Sequence, residues 1–154
     1  MQEKTNSIPS FDERGNLPSG IFKATIDDVI TFFGGNKSLK RKTLGKSLRD
    51  FYSFVKPFAK VIYVDGSFVT SKLSPNDIDL FVIISNKVRQ NLPLYRSFAG
   101  FLDKQGIRKL HVKVCFETEL DNIAYWENWY TRTRKDENGN QFSKGIISLE
   151  LTND

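Results

Sequence analysis

Apolar residues recur at helical spacing in several stretches of the chain, and residues that stop helices follow them. Over residues 38–56 the apolar side chains stand four, three and four positions apart, lysine and arginine lie opposite, and Pro57 follows. A shorter helix is predicted to begin at Thr25, which with Asp28 forms a capping-box-like pair, and to end at Gly34-Gly35. The pattern therefore predicts two helices before residue 57.

Two further helices are predicted in the second half of the chain. One follows Ser85-Asn86 and is broken or restarts at Pro93, beyond which apolar residues form one helical stripe. The other covers residues 121–130, where an aspartate precedes an aromatic-rich stripe.

Strand patterns separate these helices. Strands are predicted over residues 61–64, 78–84, 110–117 and 146–151. Residues 110–117 alternate between an apolar and a polar face, whereas residues 80–84 are all apolar, which is typical of a central strand covered on both faces. The element order predicts an α/β or α+β fold in which helices pack on one small mixed sheet.

Length and composition predict one domain. The chain has 154 residues, and we expect an extended N-terminal arm over residues 1–20 followed by a single domain over residues 21–154. Apolar runs of membrane-spanning length and a secretory leader pattern are both lacking, and the single cysteine, Cys115, excludes an internal disulfide. We therefore expect a soluble cytoplasmic protein that does not bind membranes.

The net charge of +5 suits a polyanionic ligand such as a nucleotide or RNA. Basic residues cluster at residues 37–46, 104–113 and 132–135. Each cluster by itself is more often a solvated face than a nucleic-acid site, so charge alone does not identify the ligand.

The chemistry of the chain concentrates in residues 61–84. Because side chains alternate along a strand, Asp77 and Asp79 point to the same face at the start of the second strand. Two such carboxylates can bind a divalent cation together with phosphate oxygens, and the Gly66-Ser67 turn offers backbone N–H groups and a hydroxyl to phosphates. A plain polar strand entry beside an ordinary turn is the alternative.

This pattern resembles the signature of the DNA polymerase β-like nucleotidyltransferase superfamily in its minimal form. The resemblance is carried by Gly66-Ser67, a loop of nine residues, and Asp77-x-Asp79 followed by apolar residues. The flanking stretches FDERGNLPSGIFKATIDDV, YVDGSFVTSKLSPNDIDLFV and YWENWYTRTRKDENGNQFSKGIISLEL look like a bacterial family of stand-alone nucleotidyltransferase-like proteins. The likeness extends from about residue 11 to residue 151.

The resemblance implies a polymerase-β-type core and a role for each matching residue. Asp77 and Asp79 would bind Mg²⁺ (or Mn²⁺), and Gly66 and Ser67 would cradle the phosphates of a nucleoside triphosphate. Lys72, in the intervening loop, is our candidate for an additional phosphate contact. The implied reaction transfers a nucleoside monophosphate to RNA such as tRNA, to a protein or to a nucleotide. The implied context is a toxin–antitoxin or phage-defence system, with a protein partner or a homo-oligomer.

One position departs from the superfamily pattern. Active members place a third carboxylate on the following central strand, and the matching position holds Lys113. Glu117 or Glu119 could substitute as a metal ligand, or Lys113 could bind phosphate in a catalytically degenerate module that binds nucleotide, RNA or a protein partner. The third explanation is that the alignment of this strand is shifted in register.

Other residues that could bind a ligand or react are interpreted as structural residues. His111 lies on a polar strand face without suitably spaced His or Cys partners, so the sequence does not predict a zinc site. Cys115 is predicted to be buried, and the aromatics at residues 125, 126, 129 and 130 to belong to the core rather than to stack on a nucleobase.

Overall fold

Within residues 8–35 and 37–151, which the computed structural model describes apart from the side chains of residues 106 and 107, five strands form one mixed sheet in the order β1-β5-β2-β3-β4. The strands are β1 (Gly20–Ala24), β2 (Ala59–Asp65), β3 (Ile78–Ile84), β4 (Leu110–Phe116) and β5 (Gly145–Leu149). The pairs β1–β5 and β3–β4 are parallel, and β2 is antiparallel to both β3 and β5. The predicted mixed α/β architecture is confirmed.

Helices connect the strands. They are α1 (Ile26–Val29), which continues as a π-helical turn (Ile30–Gly34), α2 (Leu39–Val55), α3 (Asn86–Arg89), α4 (Leu92–Asp103) and α5 (Leu120–Tyr130), with 3₁₀ turns at Ser67–Val69 and Gln105–Arg108. Across the described ranges, no helix is long and apolar enough to cross a membrane.

Most of the predicted helix starts and breaks are confirmed, but α5 begins at Leu120 and lacks the side-chain cap that was predicted at residue 121. The hydroxyl of Thr25 accepts a hydrogen bond of 3.1 Å from the N–H of Asp28, and Ser38 caps α2 in the same way. The predicted interruption at Pro93 separates α3 from α4, because Pro93 lies in the first turn of α4, where its missing N–H costs nothing.

Strand β1 was not predicted from the sequence. It is an edge strand of five residues in which only Ala24 is buried, and its pairing partner β5 lies more than a hundred residues further along the chain. A short edge strand has no period-2 apolar pattern strong enough to be recognised, so only the sheet identifies it.

The two faces of the sheet are covered differently. The face that we call the helix face packs against α1, α2 and α4 and forms the larger core, which includes Val64, Leu80 and Val82. On the opposite face, here called the cleft face, Tyr63, Phe81, Ile83, Cys115 and Ile146 form a smaller core that packs against α5. Cys115 is buried, as predicted.

The described part of the predicted N-terminal arm packs against the domain. Ile8 and Leu17 are buried in the larger core, and the ring of Phe11 lies 5.8 Å from that of Phe32. The carbonyl of Gly15 accepts a hydrogen bond of 2.8 Å from the N–H of Ser71. The arm thereby contacts the loop that follows the Gly-Ser turn. Residues 1–7 of the predicted arm, and residues 152–154, lie outside the described residues.

Candidate functional site

A cleft of about 830 Å³ opens where β2 ends and β3 begins. One wall consists of the turn after β2 and the residues around the start of β3, and the other consists of the end of α5 and the loop that leads to β5. Its lining residues are Asn16, Asp65, Gly66, Ser67, Thr70, Lys72, Asn76, Asp77, Asp79, Asn128, Trp129, Tyr130, Arg132, Thr133, Arg134, Lys135, Gln141 and Lys144. The cleft therefore combines carboxylates on one side with cations and aromatic rings on the other.

Asp77 and Asp79 lie together at the floor of this cleft, each with a side chain one-third exposed. Burial raises the pKa of Asp79, and the neighbouring charge of Asp77 raises it further. His111, Lys144 and Arg134 oppose that rise. A cation bound between the two carboxylates would relieve the repulsion that Asp77 exerts on Asp79.

Another carboxylate, Asp65, is paired with Asp79 across the antiparallel strands β2 and β3. It is almost fully buried, and its Oδ1 lies 2.6 Å from Nζ of Lys144. Burial raises the pKa of Asp65, and Lys144 together with the N–H of Gly66 opposes that rise. This ion pair neutralises Asp65 and joins Lys144, directly before β5, to the end of β2.

Gly66 is required by its conformation and by its surroundings. Its φ of +85° is disfavoured for residues with a Cβ, and a Cβ there would lie 2.8 Å from Oδ2 of Asp79. The glycine lets the turn of Ser67–Val69 approach the Asp77/Asp79 pair closely.

A buried arginine of α2 organises the loop after the Gly-Ser turn. Arg41 is 2% exposed, and its guanidinium donates hydrogen bonds to backbone carbonyls on two segments. The accepting residues are Phe33, Ser67, Phe68, Thr70 and Lys72. The prediction that residues 37–46 form a solvated face is wrong for Arg41, because five donors in a planar fork can satisfy carbonyls that a loop leaves without partners.

The loop from α5 to β5 forms the cationic wall. An isolated bridge pairs Arg132 with Ser143, and the N–H of Thr133 donates to the carbonyl of Phe142 over 2.8 Å. The guanidinium of Arg14 lies 3.7 Å from the ring centroid of Phe142. Because these contacts order the loop, the basic residues 132, 134 and 135 line the cleft, although their sequence position favoured a solvated, mobile run.

The structure brings most predicted site residues together but not all of them. Gly66, Ser67, Lys72, Asp77 and Asp79 all line the cleft. By contrast, Nζ of Lys113 lies 4.3 Å from the ring centroid of Trp126, in a separate shallow groove beside α5.

The two glutamates named as substitutes for the third carboxylate also lie elsewhere. Oε1 of Glu117 accepts a hydrogen bond of 2.8 Å from the N–H of Asn86, and β4 ends before it, at Phe116. Glu119 accepts from the N–H of Phe116 over 2.6 Å, at the start of α5. At about 3.3 Å per residue, this end of β4 lies roughly 17 Å from the Asp77/Asp79 pair.

The side chain of β4 that lies beside the aspartates is His111. Parallel pairing aligns Asp79 with His111 and places Lys113 opposite Phe81. Nδ1 of His111 lies 3.7 Å from Oδ2 of Asp77 and 3.5 Å from Oδ1 of Asp79. Alternation along β4 placed both residues on the polar face, but it contains no information about register, so the sequence could not choose between them.

These three residues fit a divalent cation. One ligand atom from each of Asp77, Asp79 and His111 lies within 4.8 Å of the others, and carboxylate oxygens with one imidazole nitrogen are common metal ligands. Asp77, Asp79 and His111 are thus the described residues that could hold a divalent cation.

The four aromatic residues of α5 separate into two pairs. Trp126 and Tyr130 pack on the smaller core, as predicted, with the ring of Tyr130 5.7 Å from that of Phe81. Burial raises the pKa of Tyr130 to about 12, and the charges of Asp79 and Asp65 contribute. Tyr125 and Trp129 are 58% and 59% exposed, contrary to the prediction of core positions, and Trp129 lines the cleft.

Comparison with known proteins assigns the chain to a family. The family model of DUF6932, described as a family of unknown function, matches residues 9–150, so the chain belongs to that family. Comparisons with curated proteins and with solved structures found no match.

Proposed function

We propose that this DUF6932 protein is a metal-dependent nucleotidyltransferase with a polymerase-β-type core. It would transfer a nucleoside monophosphate from a nucleoside triphosphate to a hydroxyl of RNA, of a protein or of another nucleotide. One observation carries the proposal: Asp77 and Asp79 lie in one cleft with the Gly66-Ser67 turn, facing a wall of cations. A role in a toxin–antitoxin or phage-defence system belongs to the proposal through the sequence resemblance.

The acidic wall would position the reacting phosphate. Asp77 and Asp79 would hold the cation, which when bound would neutralise charge at the phosphate oxygens. Gly66 permits close approach of the backbone, and Arg41 keeps the following loop in place through the carbonyls of Phe68 and Thr70. The acceptor oxygen forms its bond to the α-phosphorus as the bond to the pyrophosphate oxygen breaks, and the hydroxyl proton passes to solvent.

The basic wall would bind the polyphosphate. Arg132, Arg134 and Lys135 present cations from this wall, and Lys72 presents one from the loop before β3. Negative charge accumulates on the leaving pyrophosphate, and ammonium and guanidinium groups stabilise it there. Lys144 has a different task, because its ammonium is paired with Asp65 at 2.6 Å.

The test is a transfer assay. The purified chain is incubated with each labelled triphosphate, Mg²⁺ or Mn²⁺, and tRNA or cell extract as acceptor, in parallel with Asp77→Asn and Asp79→Asn. We expect labelled acceptor with the unmodified chain and none with either variant. Asp50→Asn, an exposed aspartate of α2 outside the cleft, is the matched control and should retain full transfer. Transfer that persists in both cleft variants, or no transfer under any condition, contradicts the proposal.

The alternative function is a catalytically inactive module that binds nucleotide or RNA. One observation favours it: the residue of β4 beside the aspartates is His111 rather than a carboxylate. Nucleotide binding that needs no metal, without turnover, would support this alternative, whereas turnover abolished by Asp77→Asn would exclude it.

A further inference from the structure

We propose that His111 is the third protein ligand of the cation held by Asp77 and Asp79, and that it makes the site select Mn²⁺ over Mg²⁺. The inference rests on the proposed function, because it concerns the same cleft. His111 would supply a nitrogen ligand in place of the third carboxylate that active superfamily members have, and this would change which metal the site prefers.

The distances favour shared ligation over a direct hydrogen bond. Nδ1 of His111 lies 3.5 Å and 3.7 Å from the two carboxylate oxygens, beyond the 2.7–3.2 Å typical of an N–H···O bond. Two atoms that each lie about 2.1 Å from one cation are separated by about 3.0–3.5 Å, depending on the angle between them. The observed separations are close to that range.

The strand register explains why the imidazole lies there. Asp79 and His111 are neighbours in the parallel β3–β4 pair, and both point to the cleft face. β4 is an edge strand, and the His111 side chain is 64% exposed. Water can therefore reach the open side of the cluster and complete the coordination of a bound ion.

Ligand chemistry then sets the metal preference. Mg²⁺ is a hard ion that binds oxygen almost exclusively and keeps several waters. Mn²⁺ accepts the same carboxylates and, as a first-row transition ion, also takes an imidazole nitrogen, which Mg²⁺ avoids. A site of two carboxylates and one imidazole should hence prefer Mn²⁺ to Mg²⁺ more strongly than an all-oxygen site of the same shape does.

An ordinary ion pair is the competing interpretation of the same distances. In that case a protonated His111 neutralises Asp77 and Asp79 and competes with any metal for them. Removing it would then raise metal affinity, whereas removing a ligand lowers it. The two interpretations predict changes of opposite sign for one substitution.

The experiment is a Mn²⁺ titration of the full chain, stripped of metal with a chelator and followed by electron paramagnetic resonance, with Mg²⁺ added as competitor. We expect His111→Ala to weaken Mn²⁺ binding on the order of tenfold or more, and to change Mg²⁺ binding much less. His111→Asp should bind Mg²⁺ more tightly than the unmodified chain does. Spin-echo modulation from a directly bound nitrogen should be present in the unmodified chain and lost in both variants.

Lys113→Ala is the matched control, since it removes a basic residue from the same face of β4, two positions further along. It should retain the nitrogen signal and the metal preference. Unchanged or tighter Mn²⁺ binding in His111→Ala, or no nitrogen signal in the unmodified chain, overturns the inference. If transfer then still requires Asp77 and Asp79, the proposed function stands without it. If the unmodified chain binds neither ion, the inference is overturned and the transfer assay decides the function separately.

Discussion

Alternate residues of β3 meet two different environments. Leu80 and Val82 point to the helix face and are completely buried beneath α1, α2 and α4. On the cleft face, Phe81 and Ile83 pack in the smaller core against α5, whereas Asp79 lines the cleft. The helix face of β3 is therefore buried core along its length. The cleft face changes from core at Phe81 to cleft lining at Asp79, two residues away. A single strand thus contributes stability through one side and chemistry through the other.

The largest expected effect comes from the carboxylates of the cleft face. Asp79→Asn should lower transfer by about 10³-fold or more, because one charge of the cation-binding pair is lost. Its effect on stability should be small, since the substitution also relieves repulsion from Asp77. Initial rates and urea denaturation measure the two quantities on the same preparation. A variant that loses stability and transfer together would show that the cleft face is structural as well.

A core substitution on the helix face should produce the opposite result. Leu80→Ala removes a completely buried side chain and should destabilise the fold by about 2–5 kcal/mol. Transfer per folded molecule should remain close to normal at low temperature, because Leu80 points away from the cleft. The urea midpoint is the primary measurement, and Leu92→Ala, at an exposed position on α4, is the control. A strong loss of transfer in fully folded Leu80→Ala would contradict the separation of the two faces.

The two exposed aromatics of α5 give a finer comparison. Trp129 lines the cleft, whereas Tyr125 is equally exposed and lines the separate shallow groove. If a nucleobase stacks on Trp129, Trp129→Ala should weaken nucleotide binding by about 1–3 kcal/mol, and Tyr125→Ala should leave it unchanged. Binding of a fluorescent triphosphate analogue measures both. Equal effects of the two substitutions would argue against base stacking in the cleft.

The smallest expected effect is on the pH dependence of stability. The pKa of Asp79 is raised in the folded state, so between about pH 4 and that raised value the folded chain holds more protons than the unfolded chain. The contribution of Asp79 to stability should therefore fall as the pH rises from about 4. Asp79→Asn should flatten this part of the profile, whereas Asp50→Asn should not. Urea midpoints at a series of pH values measure it, and parallel profiles for the two variants would contradict the assignment.

Local patterns were sufficient for most elements and for half of the site. The sequence predicts a strand over residues 78–84, the bounds that β3 has, because a run of apolar residues after Asp79 needs no partner to be recognised. The caps at Thr25 and Ser38 are likewise local hydrogen bonds. Gly66, Ser67, Asp77 and Asp79 are close in sequence, and one hairpin-like connection brings them together.

The sequence by itself determined the alternation of β3 and β4, the Gly-Ser turn and the carboxylate pair, since all of these depend on neighbours within a few residues. Only the tertiary structure decided that His111 rather than Lys113 lies beside the aspartates, that Lys144 pairs with Asp65, and that Arg41 is buried. Apart from the bond of Arg41 to Phe33, these contacts join residues 26 to 79 positions apart, and they depend on strand register and on loop closure. A period of two specifies which face a side chain occupies, but a register specifies which neighbour it meets, and the register arises only when the strands pair.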